Sequence, residues 1–209
     1  MTDRVKILHI ADLHIDRKIS HLNETKAQSR NIETLLTFKR ALDSFPDSNI
    51  VLMSGDIFDS DSCSLNSVDF ICTEFKNHSN MHFFISCGNH DCYESAPMQY
   101  LISKKSSNVT VFNESIECVH LNDLNTDIYG ISFSAPASYA SLLKDFSIRH
   151  ENRINIMVMH ADTNTSSKYN PITTEDIAKS RLDNLALGHI HSFSDFMKSE
   201  KPHMHIPVY

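Results

Sequence analysis

Three polar clusters follow apolar segments of this 209-residue chain, and each cluster begins with glycine. They are GDIFD at 55–59, GNHD at 88–91 and GHIH at 188–191. Their carboxylate, amide and imidazole groups are the side chains that hold divalent cations and move protons. The chain has only four glycines, so their position predicts backbone turns that glycine makes without a steric penalty.

Two further polar sites end apolar segments. Asp12-Leu-His14 comes at the end of the first apolar segment, and His160 ends INIMVMH. In an extended chain, residues two apart leave the same face, so Asp12 and His14 can reach one ion. Each site alone also has an ordinary explanation. Asp12 and His14 can be a chance pair, 55–59 a turn with a helix N-cap, and His160 a histidine of the core.

The ordinary explanations fail when the five sites are taken together. Several carboxylates and imidazoles at successive strand ends would be costly neighbours without cations to neutralise them. Oxygen and nitrogen ligands without a thiolate suit Mn²⁺, Fe²⁺ or Zn²⁺ better than a structural zinc knot. Two such ions about 3.5–4 Å apart form a clamp for in-line attack on phosphorus. The pattern therefore predicts phosphoester chemistry.

The elements that must position these residues alternate along the chain. Helical spacing of apolar residues predicts helices at 27–45, 67–78 and 173–180. Short apolar runs predict strands at 5–12, 49–54, 81–86, 109–112, 115–121, 126–133, 153–160, 184–191, 193–199 and 203–209. We expect the three strands between 109 and 133 to form a meander. The whole is an α/β layered domain with a mixed sheet, and in such folds ligands lie at the carboxyl ends of strands.

Composition limits the classes of function. The length fits one domain with a full hydrophobic core. The net charge of −7 argues against a self-sufficient nucleic-acid binder, although two bound divalent cations would change it to −3. Five cysteines without a C-x-x-C pair indicate reduced thiols. No apolar run has the length of a membrane span and the start lacks a signal-peptide layout, so we expect a cytoplasmic protein.

The ordered series D-x-H, G-D-x-x-D, G-N-H-D, H and G-H-x-H resembles that of the calcineurin-like metallophosphoesterases. It covers residues 12–191. The resemblance implies a layered αββα sandwich with mixed β-sheets. The details ADLHID, GDIFD and LGHIH look most like the DNA-repair exonuclease branch, the SbcD/YhaO-type nuclease subunits.

The resemblance also implies a role for each residue. Asp12, His14 and His191 would hold the first metal, Asp56 would bridge both metals, and Asn89, His160 and His189 would complete the second. His90 would be the catalytic histidine that assists the leaving group, and Asp59 would orient it. A metal-bridging hydroxide would attack phosphorus. Asp91 is expected to be a structural group.

The function expected from this resemblance is a two-metal DNA exonuclease and endonuclease of double-strand-break repair. Its cofactors would be two divalent ions, Mn²⁺ first, with Fe²⁺ or Zn²⁺ as alternatives. Its partners would be DNA and an SMC-like ATPase subunit, with no membrane association; a homodimer stays open. One alternative is a phosphodiesterase or phosphatase for nucleotides, cyclic nucleotides or phosphoproteins. Another is an inactive module that docks a partner.

Two features depart from the family pattern. Ala161 follows His160 where the nuclease branch usually has glycine, so the loop 161–171 is expected to differ. The chain ends at HIPVY, where relatives continue into a domain that caps DNA. We therefore expect residues 1–209 to be a catalytic domain that is truncated at its C-terminus and lacks the capping domain.

Overall fold

A computed structural model describes residues 5–20 and 22–191. It contains two four-stranded sheets with helices outside them. The first sheet consists of β1 (Ile7–Ile10), β2 (Ile50–Ser54), β3 (His82–Ser86) and β4 (Val109–Val111), all parallel. The second consists of β5 (Glu117–Leu121), β6 (Thr126–Gly130), β7 (Ile154–His160) and β8 (Asn184–Gly188). Only β5 and β6 pair antiparallel in it.

Alternation along the strands divides the core into layers. Val51 and Met53 of β2 point to one face, where they pack with helices, whereas Ile50 and Leu52 point to the second sheet. Because both faces of β2 are covered, its sequence IVLMS is continuously buried. A third cluster, which includes Tyr129, lies on the outer face of the second sheet. This order of layers is the αββα sandwich predicted from the sequence.

Four α-helices in the described part of the chain complete the layers. They are α1 (Glu24–Ser44), α2 (Leu65–Asn77), α3 (Ala96–Lys104) and α4 (Thr174–Ser180). The first three cover the first sheet, and Ile177 of α4 packs against the outer face of the second. Within the described residues, no helix has the length and apolar character that a membrane crossing requires.

The structure differs from the sequence prediction at two points. Helix α3 was not predicted. The strand at 109–112 joins the first sheet as β4, parallel to β3, so the expected meander is wrong. Strand β6 pairs antiparallel with β5 and parallel with β7, so the second sheet is mixed, as predicted. The two strands predicted at 193–199 and 203–209 lie outside the described residues.

Candidate metal centre

The carboxyl ends of five strands meet at one edge of the sandwich. Each predicted site residue ends or directly follows one of them: Asp12 and His14 after β1, Asp56 and Asp59 after β2, Asn89 and His90 after β3, His160 at the end of β7, and His189 and His191 after β8. Parallel pairing brings these ends together. The structure thus collects all nine residues in one region.

Four of these residues have backbone conformations that non-glycine residues seldom adopt. Asp12, His14, Asp56 and His189 have φ values of 55°, 46°, 51° and 95°. The predicted extended geometry of Asp12 and His14 is therefore wrong. Their amides instead donate to Gly55 O at 3.1 Å and Asp56 O at 2.9 Å, which fixes the strained segment against the next loop. Such conformations cost about 1–3 kcal/mol each and concentrate at functional sites.

Asp12, His14 and His191 form the first group, in which one ligand atom of each lies within 4.8 Å of the others. The Nε2 atoms of His14 and His191 are 3.4 Å apart, and Asp12 Oδ1 lies 3.7 Å from His191 Nε2. Burial lowers the pKa of His14 to about 4, although the charge of Asp56 acts in the opposite direction. A neutral His14 presents a ring nitrogen lone pair, so this group fits a divalent cation.

Asp56, His160 and His189 form the second group, again with ligand atoms within 4.8 Å of one another. His160 Nδ1 lies 2.8 Å from Ser54 O and donates to it, which turns Nε2 toward the site. That nitrogen is 3.1 Å from Asn89 Oδ1 and 3.4 Å from Asp56 Oδ2. A backbone carbonyl that fixes the far nitrogen is the usual support of a metal-binding histidine.

Asp56 lies between the two groups. Its Oδ2 is 3.4 Å from His160 Nε2 in the second group and 3.8 Å from His14 Nε2 in the first. Burial opposes ionisation of Asp56, but His160 and the amide of His90 outweigh it and lower its pKa to about 2. An ionised carboxylate at this point is suited to bridge two cations, and its neighbours offer only oxygen and nitrogen ligands.

Asp91 holds the loops that carry these ligands. Its buried carboxylate accepts hydrogen bonds from the amides of Gly88, Asp56, Ile57 and Phe58 at 2.7, 3.1, 2.7 and 3.2 Å. Burial and the charge of Asp56 raise the pKa of Asp91 to about 7. The loops after β2 and β3 are therefore tied to one side chain, in agreement with the structural role expected of it.

His90 lies beside the first group and contacts Asp59. Asp59 Oδ2 is 3.8 Å from His90 Nδ1, and the His90 ring meets the His14 ring edge-on at 4.8 Å. The His90 side chain is 41% exposed and lines the open cleft at the site. It can therefore reach a bound ligand while Asp59 faces its other side.

Glycine is required at the start of each of the three clusters, but for different structural reasons. Only Gly55 has a left-handed conformation, with φ of 84°. A methyl group at Gly88 would overlap Asp56 Oδ1, and one at Gly188 would overlap Ser54 O. The predicted turn is thus present at Gly55, whereas the other two positions need glycine because another loop approaches closely.

The prediction missed three residues of the site. Arg17 and Tyr169 line the cleft, which has a volume of about 170 Å³. Asp162 Oδ2 lies 3.5 Å from His189 Nε2, and the Tyr169 ring is 4.8 Å from the His189 ring. The segment after Ala161, which departs from the family pattern, contains two of the three. Arg17 comes three residues after His14, where no motif marks it.

Residues 5–193 match the family pattern of the calcineurin-like phosphoesterases, so the chain belongs to that family. The class of activity is accordingly metal-dependent hydrolysis of phosphoesters. Members generally use two metal ions, and the two groups described above are candidate places for them.

A relative of known sequence places the chain more closely within the family. It is 27% identical over 207 residues to the uncharacterized metallophosphoesterase YhaO of Bacillus subtilis (strain 168). The match covers 91% of this chain and 49% of the relative, so the chain spans about half the length of that protein. This similarity supports the YhaO-type branch. One crystal structure is similar with a TM-score of 0.53 at 10% identity, covering 88% of this chain and 83% of the other, which shows the fold alone.

Proposed function

We propose that this chain is a two-metal phosphodiester hydrolase that cleaves DNA, a nuclease of DNA break repair. The observation that carries the proposal is the position of Asp56, whose Oδ2 faces a histidine of each metal group. The family supplies the phosphoester class. The choice of DNA is supported by the motifs ADLHID, GDIFD and LGHIH, which resemble those of the DNA-repair nuclease branch.

In this proposal the donor atoms divide into two sets. Asp12, His14 and His191 hold one ion, and Asn89, His160 and His189 hold the other, with Asp56 shared. Divalent cations bound there neutralise phosphate charge and lower the pKa of an attacking water. Oxygen and nitrogen donors suit Mn²⁺, and Fe²⁺ and Zn²⁺ are the alternatives.

His90 serves the leaving group in this proposal. It lines the cleft, and Asp59 Oδ2, 3.8 Å from its Nδ1, faces the ring and holds its orientation. The ring can therefore donate a proton to the leaving oxygen from Nε2. Asp59 acts through His90 in this proposal, so it is a positioning residue, although its ligand atom also lies within 4.8 Å of those of His14 and His90.

Charge in the cleft supports a phosphate-bearing substrate and also favours a second candidate. Arg17 is the one cationic Lys or Arg side chain among the described residues that line the cleft. The whole chain carries a net charge of −7, which opposes a long polyanion. A phosphodiesterase or phosphatase for nucleotides, cyclic nucleotides or phosphoproteins is therefore the second candidate. Assembly with an SMC-like ATPase belongs to the first proposal and rests on the family resemblance, whereas a cytoplasmic location stays the expectation drawn from the sequence.

The test is hydrolysis by the purified chain with added Mn²⁺. The substrates are end-labelled single- and double-stranded DNA and a chromogenic aryl phosphodiester. We expect turnover of all three, and we expect Asp56→Asn to lower kcat on the order of 1,000-fold, as for loss of a group that stabilises transition-state charge. Asp61→Asn is the matched control, because Asp61 is an exposed carboxylate of the same loop.

The outcomes separate the candidates. Cleavage of DNA that Asp56→Asn abolishes and Asp61→Asn preserves supports the nuclease. Turnover of the aryl diester without any DNA cleavage contradicts it and supports the small-substrate enzyme. Two bound Mn²⁺ ions per chain with no turnover of any substrate would indicate a docking module and overturn both enzyme proposals.

A further inference from the structure

A second cluster of metal-ligating side chains lies on the second sheet, away from the candidate metal centre. In the β5–β6 pair, His120 is opposite Asp127 and Cys118 is opposite Tyr129. Residues directly opposite each other, and those two apart on one strand, share a face of the sheet. Cys118, His120 and Asp127 therefore converge on the outer face, at the edge strand β5.

The donor atoms of these three residues are close together. His120 Nδ1 is 2.8 Å from Asp127 Oδ1 and 3.8 Å from Cys118 Sγ. One ligand atom from each of the three lies within 4.8 Å of the others. A sulfur and a nitrogen that share a tetrahedral zinc ion are separated by about 3.5 Å, given bonds of about 2.3 and 2.1 Å. The spacing is thus near that of a bound ion.

Two further side chains, those of His150 and Arg153, hold the carboxylate of Asp127 in place. His150 Nδ1 lies 2.8 Å from Asp127 Oδ2, and Arg153 Nε donates to Oδ1 at 2.5 Å. The Asp127 side chain is 0% exposed, so it needs such partners. A buried carboxylate satisfied by Arg153 explains the arginine and the histidines. The Cys118 thiol packs with the apolar cluster on the outer face of the second sheet, but neither that packing nor Arg153 accounts for its contact with His120 Nδ1.

A catalytic Cys-His-Asp arrangement does not fit the geometry. In such a triad the thiol and the carboxylate contact opposite nitrogens of the imidazole. Here Cys118 and Asp127 both approach Nδ1 of His120. Burial also raises the pKa of Cys118, which disfavours a free thiolate nucleophile. Metal ligation, which itself deprotonates a thiol, remains the chemistry that uses all three groups.

We propose that Cys118, His120 and Asp127 bind one zinc-class divalent cation, with the fourth coordination position open to solvent. On binding, the Cys118 thiol releases its proton to solvent and ligates as thiolate. The His120 proton moves from Nδ1 to Nε2 through solvent, which reaches this ring because its side chain is 45% exposed. His150 and Arg153 stay on the carboxylate and orient it, and the positive charge of Arg153 weakens the site relative to a free carboxylate.

This site is distinct from the candidate metal centre in place and in chemistry. Asp127 pairs with Asn155 of β7, whereas His160 is five residues further along that strand, on the order of 16 Å away. The centre near Asp56 offers only oxygen and nitrogen donors, and the second site adds a thiolate. A bound ion here would fasten edge strand β5 to β6 rather than act on phosphate.

Cobalt titration tests the proposal because thiolate ligation to Co²⁺ produces a charge-transfer absorption in the near ultraviolet. The chain is titrated with Co²⁺ in a phosphine reductant, and metal content is measured in parallel. For the parent chain we expect the charge-transfer band and three bound ions. For Cys118→Ser we expect no band and two bound ions. Cys63→Ser is the matched control and should keep the band and the three bound ions. Among the described residues, Cys63 belongs to no group of side chains that could hold a metal ion.

Further variants separate this proposal from the proposed function. His120→Gln keeps the thiol and is expected to lose the band, with circular dichroism as the check of folding. Asp56→Asn is expected to keep the band even where it abolishes hydrolysis. Absence of a charge-transfer band at saturating Co²⁺ would overturn the second site, and so would a band that persists in Cys118→Ser.

Discussion

At the residue scale, the candidate centre combines neutral imidazole and ionised carboxylate. Burial lowers the pKa of His14 to about 4, so its ring is neutral near pH 7. His160 and the His90 amide lower the pKa of Asp56 to about 2 against the effect of burial, so its carboxylate is ionised. These are the protonation states that ligate cations, and they arise from protein groups alone. His160 differs from His14: burial opposes its charged form, but the hydrogen bond and charge of Asp56 outweigh burial and raise the pKa of His160, so His160 must release a proton when it binds a cation.

His90 and Asp59 are expected to act as one unit. In the proposed reaction the His90 ring donates the proton, and Asp59, 3.8 Å from its Nδ1, orients it. We predict that His90→Gln lowers kcat by about 100- to 10,000-fold, the usual contribution of a general acid. Asp59→Asn should lower kcat by a smaller factor of about 10–100. The measurement is kcat for DNA, and an aryl phosphodiester is run beside it as the substrate with the better leaving group.

The double variant distinguishes orientation from an independent role. Because Asp59 works only through His90, the pair His90→Gln/Asp59→Asn should be no slower than His90→Gln alone. If the rate losses of the two single variants multiplied in the double variant, the proposed coupling of Asp59 to His90 would be contradicted. A substrate with a better leaving group needs less proton donation, so it should restore much of the lost rate in each single variant.

At the element scale, local pattern predicted what is local. The apolar runs of β2 and β3 predicted buried strands, and the polar residues after them were assigned to the correct end of the sheet. The sequence did not predict which strand pairs with β4. Its three residues are too few for a clear alternation of apolar and polar side chains, and its partner β3 is distant in the sequence. Helix α3 was missed although Ser95 and Pro97 at its start are helix-start signals.

The candidate site was predictable in composition but not in conformation. Five sites with strong ligand residues mark the metal groups in the sequence. The left-handed φ of Asp12 and His14 could not be read, because tertiary hydrogen bonds to the β2 loop hold that conformation. Arg17 and Tyr169 belong to no motif, and only the fold places them at the cleft.

Two glycines at element ends give a matched pair of substitutions. A methyl group at Gly88 would overlap Asp56 Oδ1 and come within 2.6 Å of the Asp56 amide nitrogen. We predict that Gly88→Ala displaces Asp56 and lowers metal affinity and kcat/KM by about 10- to 100-fold, the effect of disturbing a ligand's support. Calorimetric titration with Mn²⁺ and steady-state kinetics measure the two quantities.

Gly130→Ala makes the same chemical change at a place where the core, not the site, is affected. Its methyl group would overlap the Phe112 ring between the sheets. Overpacking of this kind costs about 1–3 kcal/mol in the free energy of unfolding. Urea unfolding should show that loss, while kcat/KM per folded molecule stays near that of the parent chain. A Gly88→Ala protein with parental metal affinity would contradict the close-approach account.

At the scale of the whole molecule, the packing of the two sheets against each other positions the candidate metal centre. Their facing surfaces form an apolar core that includes Leu52, Phe84 and Val158. That core fixes the ends of β2, β3 and β7 relative to one another. The candidate metal-ligating residues lie at those ends or in the loops that follow them. The strained backbone at the site is tolerated because the packed sheets determine it from both sides.

The charge of the whole molecule makes the salt dependence of DNA cleavage informative. Each phosphate that a protein cation contacts contributes about −0.9 for duplex DNA, or about −0.7 for a single strand, to the slope of log affinity against log salt. Among the cleft residues that the structure describes, Arg17 is the one Lys or Arg side chain. The net charge of −7, or −3 with two divalent ions, repels DNA, and salt screens that repulsion. The two effects oppose each other, so we predict a slope of log kcat/KM between zero and about −1 for this chain.

Substitution of Arg17 tests which cation produces that slope. Arg17→Ala should lower kcat/KM for DNA and move its salt slope toward zero or to a positive value, because only the screened repulsion is left. Lys18→Ala is the matched control: Lys18 is the adjacent exposed cation and does not line the cleft, so its slope should stay parental. The rate is measured on end-labelled DNA over a series of KCl concentrations at fixed Mn²⁺, with an aryl phosphodiester as the small-substrate reference. A slope steeper than about −4 would show several phosphate contacts and contradict the assignment of DNA contact to the cleft alone.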